Sequence, residues 1–216
     1  MFAILLRNLF RRGKPFRQSS TGGATHLNLG CGRDIREGWI NLDAKWLPGV
    51  DVVADLDQCR NAPLPFPDNS IDEFLASHVI EHLRDALSFM QELHRIAKPG
   101  AVAVFRVPYG SSDEADEDPT HVRRLFLHSF YFFSQLGYTW ADYGYSGDWD
   151  TENVVLNVDA VRHAGKTFEQ LHEEVHSQRN VVLEMIVTLR AVKPARAPGG
   201  EKPKHMRVEF KHIPGG

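Results

Sequence analysis

The chain has 216 residues, of which 42% are hydrophobic and 25% are charged, and its formal net charge is −3 with an isoelectric point near 6.4. This composition is typical of a globular protein with one sizeable core, and the slight excess of acid argues against a general nucleic-acid-binding protein. Two cysteines, Cys31 and Cys59, are too few for a disulfide framework or a cysteine zinc site, which favours a reducing, cytoplasmic setting.

Residues 1–24 are predicted to form a basic segment and linker ahead of the main domain. A short apolar block at residues 2–6 is followed by basic residues, and no acid precedes Asp34. A secretory signal would place its charges before a longer apolar region, so we interpret 1–17 as a helix on the domain or a frayed terminus. A peripheral contact with anionic lipid or a protein partner is the alternative. No stretch approaches the roughly 18 apolar residues of a membrane-spanning helix.

The main domain is predicted to begin with a strand that enters a glycine turn. Residues 26–29 are a short apolar run, and Gly30-Cys31-Gly32 follows it directly. Glycines spaced in this way let a ligand approach the backbone, as in nucleotide-cofactor turns. The turn alone is weak evidence, because Asp34 stands where the dinucleotide fingerprint has its third glycine.

A second strand, residues 39–43, ends in the carboxylate of Asp43. An acid at this position suits a ribose, since a carboxylate accepts hydrogen bonds from two vicinal hydroxyls. The connection from Gly32 to Asp43 is too short for a full crossover helix. A dinucleotide site would have its acid about 20 residues on, so this spacing disfavours that interpretation.

Further elements follow in an alternating pattern. A third strand-like unit at 50–57 and a fourth strand at 71–76 precede a helix over 83–98, which has one apolar face and is stopped by Pro99-Gly100. The run 101–107 predicts a central strand, and Pro108-Tyr109-Gly110 turns the chain at its end. The acidic stretch 111–118 is a solvated loop or a lid over an acceptor pocket.

The C-terminal half is predicted to complete the sheet. We expect a capped helix at 129–137, a strand at 153–161, a helix that begins with a capping box at Thr167, a strand at 181–192 and an edge strand at 206–213. The predicted boundaries are therefore 1–24 for the N-terminal segment, 25–193 for the domain, and 194–216 for a C-terminal loop with an edge strand.

Five motifs occur in an order that points to one family. They are N-L-G-C-G at 28–32, G-W-I-N-L-D at 38–43, L-P-F-P-D-N-S-I-D at 64–72, H-V-I-E-H-L at 78–83 and E-L-H-R-I-A-K-P-G at 92–100. Over residues 25–136 the chain resembles class I S-adenosylmethionine-dependent methyltransferases, most of all the methyltransferase type 11 branch. The resemblance implies a Rossmann-like α/β fold with helices on both faces of a mostly parallel seven-stranded sheet, ordered 3-2-1-4-5-7-6 with strand seven antiparallel.

The resemblance also implies which residues hold the cofactor, S-adenosyl-L-methionine, and its product S-adenosyl-L-homocysteine. These residues are Asn28, Gly30, Cys31, Gly32, Asp43, Asp55, Leu56, Ser77 and His78. Asn28 replaces the family's usual acid, so a bond to the cofactor amino group would lose its charge assistance. The alternatives for Asp43 and Asp55 are a cap or turn carboxylate and a surface turn acid.

The function implied is in-line methyl transfer to a small-molecule or sugar-like acceptor. His121 and His78 are candidate general bases, with Tyr109 as an orienting group. His121 lies in a D-P-x-H-x-R pattern that also occurs in the resembled branch, which suggests an acceptor-side element. A non-catalytic module that binds the cofactor or its product is the alternative function.

A remote alternative is a zinc hydrolase. Residues 78–82 read H-x-x-E-H, the inverted zincin pattern. Two zinc-binding histidines at that spacing must share one helix, whereas His78 is predicted at a strand-to-helix junction. The sequence therefore predicts no catalytic metal, and a buried structural histidine is the simpler interpretation of His82.

Overall fold

The computed structural model describes residues 25–137, 143–199 and 206–214. Within these ranges the chain forms one eight-stranded sheet in the order β3-β2-β1-β4-β5-β7-β6-β8. The strands are β1 His26–Leu29, β2 Ile40–Asp43, β3 Val52–Val53, β4 Ile71–Ser77, β5 Ala97–Pro108, β6 Trp149–Asp159, β7 Val182–Ala191 and β8 Arg207–Ile213. The helices are α1 Ala86–Ile96, α2 Glu114–Glu117 and α3 Phe168–Ser177, with 3-10 helices at Leu56–Gln58, Ser129–Phe133 and Gln135–Gly137.

The predicted strand order is confirmed over its first seven strands. Strands β3, β2, β1, β4 and β5 pair in parallel, and β7 runs antiparallel to both β5 and β6. The eighth strand is the predicted C-terminal edge strand, and β8 adds to the sheet in parallel beside β6. The family order predicts seven strands, so the sheet is one strand wider than expected.

Helix boundaries differ from the sequence-based expectation in two places. The predicted helix 83–98 begins only at Ala86, because Asp85 caps it by accepting a hydrogen bond from Ser88 N. Its predicted last residues belong to β5, which already starts at Ala97 and pairs there with Ile71. The predicted capped helix 129–137 is two 3-10 helices, of which the first has no side-chain cap.

Two other local predictions are confirmed. Thr167 and Gln170 form the capping box at the start of α3, where each side chain binds the other's backbone N–H. Between β1 and β2 the chain makes only turns, as the short connection predicts. The acidic stretch is not wholly a loop, since α2 lies inside it.

The hydrophobic core fills the space between the central strands and their covering elements. Its largest fully buried side chains include Trp149, Phe74, Phe89, Phe105 and Phe130. None of the helices in the described ranges combines the length and apolar character that crossing a bilayer requires. The basic segment 1–24 lies outside the described residues, as do residues 138–142 in the middle of the chain.

Candidate active site

The glycine turn after β1 presents its backbone at the carboxyl edge of the sheet. Gly30 and Gly32 have φ angles of 57° and 50°, a region that L side chains rarely adopt. A Cβ on Gly30 would lie 2.6 Å from Val79 Cγ2, whereas one on Gly32 would meet nothing within 4 Å. Gly30 is therefore required by the packing of the neighbouring turn, and Gly32 faces open space that a ligand can occupy.

Asp43 closes this turn from the adjacent strand. Its Oδ2 accepts a hydrogen bond from Gly32 N at 2.8 Å, and its Oδ1 accepts one from Lys45 N at 2.9 Å. Cys31 N donates to Leu42 O at 2.9 Å, which ties the turn to β2. The carboxylate is thus fixed beside the open face of the turn, and each oxygen retains a lone pair for a ligand hydroxyl.

Asn28 lies beneath the turn and has a structural role there. Its side-chain nitrogen donates to Asp34 O at 2.7 Å and to Asn41 Oδ1 at 3.0 Å, and the residue is buried. Both amide hydrogens are therefore used within the protein. They lock the short β1–β2 connection, so only the Asn28 Oδ1 is left to accept a bond from a cofactor amino group.

The tip of β4 carries a cluster of charged side chains. His78 follows Ser77 with a φ of 54°, and its Nε2 lies 3.2 Å from Glu184 Oε1 while its Nδ1 lies 3.4 Å from Glu81 Oε1. The hydrogen bond with Glu184 and then the nearby Glu81 carboxylate raise the pKa of His78 to about 9. His78 is therefore a cation at neutral pH, which disfavours it as a general base.

Glu184 anchors this cluster from β7. Arg106 Nε and Nη2 donate to its two oxygens at 3.1 and 3.0 Å, and Asn157 Nδ2 donates at 2.8 Å. Burial by itself raises the pKa of Glu184, but the hydrogen bonds from His78 and Arg106 outweigh it and lower the pKa to about 2. Glu184 is thus an ionised carboxylate that lies between the cationic side chains of His78 and Arg106.

Comparison with known proteins finds a family that resembles the part of the chain that carries this arrangement. Residues 24–105 match the family described as "Methyltransferase domain". That stretch contains the glycine turn, Asp43 and the β4 tip. Over these residues the chain is therefore similar to methyltransferase domains.

Two curated relatives are named as methyltransferases, and one solved structure shares the fold. A probable S-adenosylmethionine-dependent methyltransferase of Mycolicibacterium smegmatis is 35% identical over 48% of this chain and 47% of its own. The ajmaline N-methyltransferase of Rauvolfia serpentina is 29% identical over 38% of this chain and 31% of its own. The chain thus spans less than half of these curated relatives. A SAM-dependent methyltransferase from Archaeoglobus fulgidus shares the fold, with a TM-score of 0.55, 17% identity, and coverage of 78% of this chain and 86% of that one.

The similarity to methyltransferases implies S-adenosylmethionine as the cofactor, and the glycine turn fits it. The open space over Gly32 and the fixed Asp43 carboxylate provide a backbone cradle and an acceptor for ribose hydroxyls side by side. The thiol of Cys31 does not contribute a charge there, because burial and then the nearby Asp43 carboxylate raise its pKa. Cys31 is expected to act through its backbone.

Asp55 and Leu56, the residues expected near the adenine, start the 3-10 helix after β3. Asp55 Oδ1 accepts a hydrogen bond from Asp57 N at 3.0 Å, and the residue is exposed. Leu56 is buried in the core. The interpretation of Asp55 as a surface turn acid therefore describes a contact that is present, and its second oxygen is left for an adenine contact, which stays a prediction.

The segment 111–124 covers the edge of the sheet next to β5, and ion pairs and a backbone hydrogen bond hold it in place. Arg124 makes a two-pronged ion pair with Asp116, with distances of 2.7 and 2.8 Å, and Arg179 pairs with Asp113 at 2.8 Å. Val122 N donates to Glu81 O at 2.9 Å, so the far end of the segment is joined to the turn after β4. Several of its acids are thus partners of arginines.

Two predicted catalytic residues are more enclosed than the sequence suggested. Tyr109 is 4% exposed and lies edge-on against Phe126, and burial raises its pKa. The His121 side chain is 8% exposed, and its Nδ1 lies 3.2 Å from the carbonyl oxygen of Ala115. Both side chains are placed to hold the segment in position, and contact with an acceptor stays a prediction.

Sequence reasoning missed Glu81, Arg106 and Glu184. Two of them carry a visible signal, because a charged residue interrupts an apolar run of a central strand, at 101–107 in β5 and at 182–187 in β7. Charged side chains are almost never buried unless they are paired, so such an interruption indicates a partner on the neighbouring strand. Arg106 and Ile186 are in register across β5 and β7, which brings Glu184 two residues away.

The role of Asn28 can be tested by restoring the acid that the family usually has. We expect Asn28→Asp to lower the free energy of unfolding by about 1–3 kcal/mol. The carbonyl oxygens of Asp34 and of the Asn41 side chain lose their donor and face a carboxylate instead. Denaturant unfolding measures this loss, with Asn28→Ala as the control that removes the donor without adding charge. Equal stability of wild type and Asn28→Asp would contradict the locking role.

Proposed function

We propose that this chain transfers the methyl group of S-adenosylmethionine to a small-molecule or sugar-like acceptor by in-line displacement. The observation that carries the proposal is the shared edge of the sheet. The glycine turn and Asp43 lie after β1 and β2, and the bound segment 111–124 leaves the carboxyl end of β5. Ligands of open α/β sheets bind outside these carboxyl ends, so cofactor and acceptor would meet there.

The cofactor supplies a methyl group on a positively charged sulfur, and the chain's own residues supply position. Gly30 to Gly32 and Asp43 would orient the cofactor, while 111–124 would close the acceptor side and exclude water. Holding two reactants in line can contribute roughly 7–11 kcal/mol to lowering a barrier, so such a site needs no strong base. This suits a chain in which His78 is a cation and His121 is enclosed.

The proposed activity is tested with cofactor that carries a labelled methyl group. The full chain is incubated with a panel of sugars, hydroxyl compounds and amines, and amines are included because one relative is named an ajmaline N-methyltransferase. We expect label on at least one acceptor, and less label with the Asp43→Ala variant when the cofactor concentration is near the Kd of the wild type. Tight binding of S-adenosylhomocysteine without transfer to any acceptor would instead indicate the non-catalytic binding module.

The acceptor-side role of segment 111–124 is tested at His121. We expect His121→Ala to lower kcat by about tenfold. The loss should be smaller than the roughly 10²-fold that a 1 Å misplacement can cost, because the segment loses the contact of His121 and keeps its ion pairs. The affinity for S-adenosylhomocysteine should not change. His128→Ala, an exposed histidine further along the same stretch, is the matched control. Unchanged turnover in His121→Ala, or a parallel loss of cofactor affinity, would contradict this role.

A further inference from the structure

Three side chains of metal-ligand type meet where segment 111–124 crosses the turn after β4. Glu81, His82 and His121 each offer one ligand atom, and these atoms lie within 4.8 Å of one another. The rings of the two histidines are 4.7 Å apart, edge to face. Residues almost forty positions apart in the chain are thus brought into a His₂Glu set, which is one of the ligand sets of catalytic zinc.

The hydrogen bonds around His82 define its tautomer. Thr120 Oγ1 lies 2.6 Å from Asp118 Oδ1 and 2.8 Å from His82 Nδ1. A carboxylate only accepts, so the Thr120 hydroxyl donates its proton to Asp118 and its oxygen accepts from His82 Nδ1–H. The lone pair of the neutral ring is then on His82 Nε2.

His121 is oriented in the same way. Its Nδ1 lies 3.2 Å from the carbonyl oxygen of Ala115, which can only accept, so Nδ1 carries the proton. The nearest carboxylate oxygen to its Nε2 is Asp118 Oδ2 at 3.9 Å, beyond hydrogen-bonding distance. Both histidines therefore donate through Nδ1 and keep Nε2 as the acceptor nitrogen, which is the usual state of metal-ligating histidines.

Glu81 provides an independent reason for a cation at this place. Its side chain is 1% exposed, and neither carboxylate oxygen accepts a hydrogen bond. The nearest cation is His78, whose Nδ1 is 3.4 Å from Oε1 and whose other nitrogen faces Glu184. Buried carboxylates are normally paired and hydrogen-bonded or coordinate a metal, so Oε2 in particular lacks the partner that its burial requires.

We propose that Glu81, His82 and His121 form a binding site for one divalent transition-metal ion of the Zn²⁺ class. Three protein ligands leave one position of a tetrahedral ion open to water or another oxygen ligand. The site differs from the H-x-x-E-H set, because His121 from the covering segment replaces His78. An ion bound here would fasten segment 111–124 to the turn after β4.

The experiment measures metal binding and needs no acceptor, so it is independent of the proposed activity. The full chain is stripped with a chelator and titrated with Zn²⁺ alone by calorimetry, and Co²⁺ is added as a spectroscopic probe of tetrahedral coordination. We expect one ion per chain and the visible absorption of tetrahedral Co²⁺. Absence of stoichiometric binding in the wild type would overturn the proposal.

Variants identify the ligands. His82→Ala, His121→Ala and Glu81→Gln should each weaken Zn²⁺ binding by more than the about 10–100-fold that loss of an outer hydrogen bond costs. His78→Ala and His128→Ala should retain the site. Loss of binding in His78→Ala together with retention in His121→Ala would assign the ion to the H-x-x-E-H set and overturn the proposal.

A further variant covers the case in which a ligand substitution prevents folding, which circular dichroism and thermal unfolding would reveal. Thr120→Val keeps all three ligands and removes the acceptor of His82 Nδ1–H, together with the hydroxyl that donates to Asp118. We expect it to bind Zn²⁺ about 10–100-fold more weakly than the wild type. Wild-type affinity in Thr120→Val would contradict the coordination through His82 Nε2.

Discussion

Replacing Arg196 with alanine is expected to lower the free energy of unfolding by about 3 kcal/mol, the lower end of the range for breaking a buried ion pair. Its partner Asp148 is fully buried, and Arg196 Nε and Nη2 donate to the two Asp148 oxygens at 2.7 Å each. Burial alone raises the pKa of Asp148, but the hydrogen bonds from Arg196 outweigh it and keep the group ionised. Without Arg196 a buried charge loses its main partner.

The loss should stay near the lower end of the range because two backbone donors remain. Gln135 N donates to Asp148 Oδ1 at 3.0 Å, and the backbone N of residue 196 donates to Oδ2 at 2.9 Å. The matched control is Arg190→Ala, which breaks an exposed ion pair with Glu152 and should cost less than about 1 kcal/mol. Denaturant unfolding compares the two variants, and equal losses would contradict the account of Asp148.

Replacing Asp43 with alanine is expected to weaken S-adenosylhomocysteine binding by about 1.5–3 kcal/mol, the range for hydrogen bonds to charged groups. This corresponds to an about 10- to 150-fold rise in Kd. Two effects act in the same direction, since the ribose hydroxyls lose their acceptor and Gly32 N loses the carboxylate that fixes the glycine turn.

The control for Asp43 is Asp34→Ala. Asp34 is an exposed acid on the same connection and pairs only with the half-buried Arg36 among its described side-chain partners. Its removal changes the net charge as Asp43→Ala does, but it leaves the glycine turn bonded to β2. A similar loss of affinity in both variants would mean that charge near the site matters and that Asp43 has no specific contact.

The individual elements of the fold could be predicted from the sequence because their signals are local. The glycine turn, the acid at the end of β2 and the capping box of α3 each depend on residues within a few positions of one another. The start of α1 could not be predicted in this way. Leu83 continues the apolar pattern of the helix, although it is buried in the preceding turn. The apolar pattern reports burial, and here burial extends beyond the helix.

Of the candidate site, only the glycine turn and Asp43 could be predicted from neighbouring residues. Gly30, Gly32 and Asp43 belong to one short motif, whereas Glu184 reaches His78 from 106 positions away. The enclosure of His121 depends on Ala115 and His82, which no spacing rule connects. Side chains that work across strands become visible only once the sheet order brings them together.

The central claim is that the edge formed by the glycine turn and Asp43 binds S-adenosylmethionine and its product. Calorimetric titration of the full chain with S-adenosylhomocysteine tests it most directly, with NADH titrated alongside as a dinucleotide of comparable chemistry. We predict one bound S-adenosylhomocysteine per chain, displaced by S-adenosylmethionine and not by NADH. Absence of S-adenosylhomocysteine binding to the folded chain, or preference for NADH, would contradict the account.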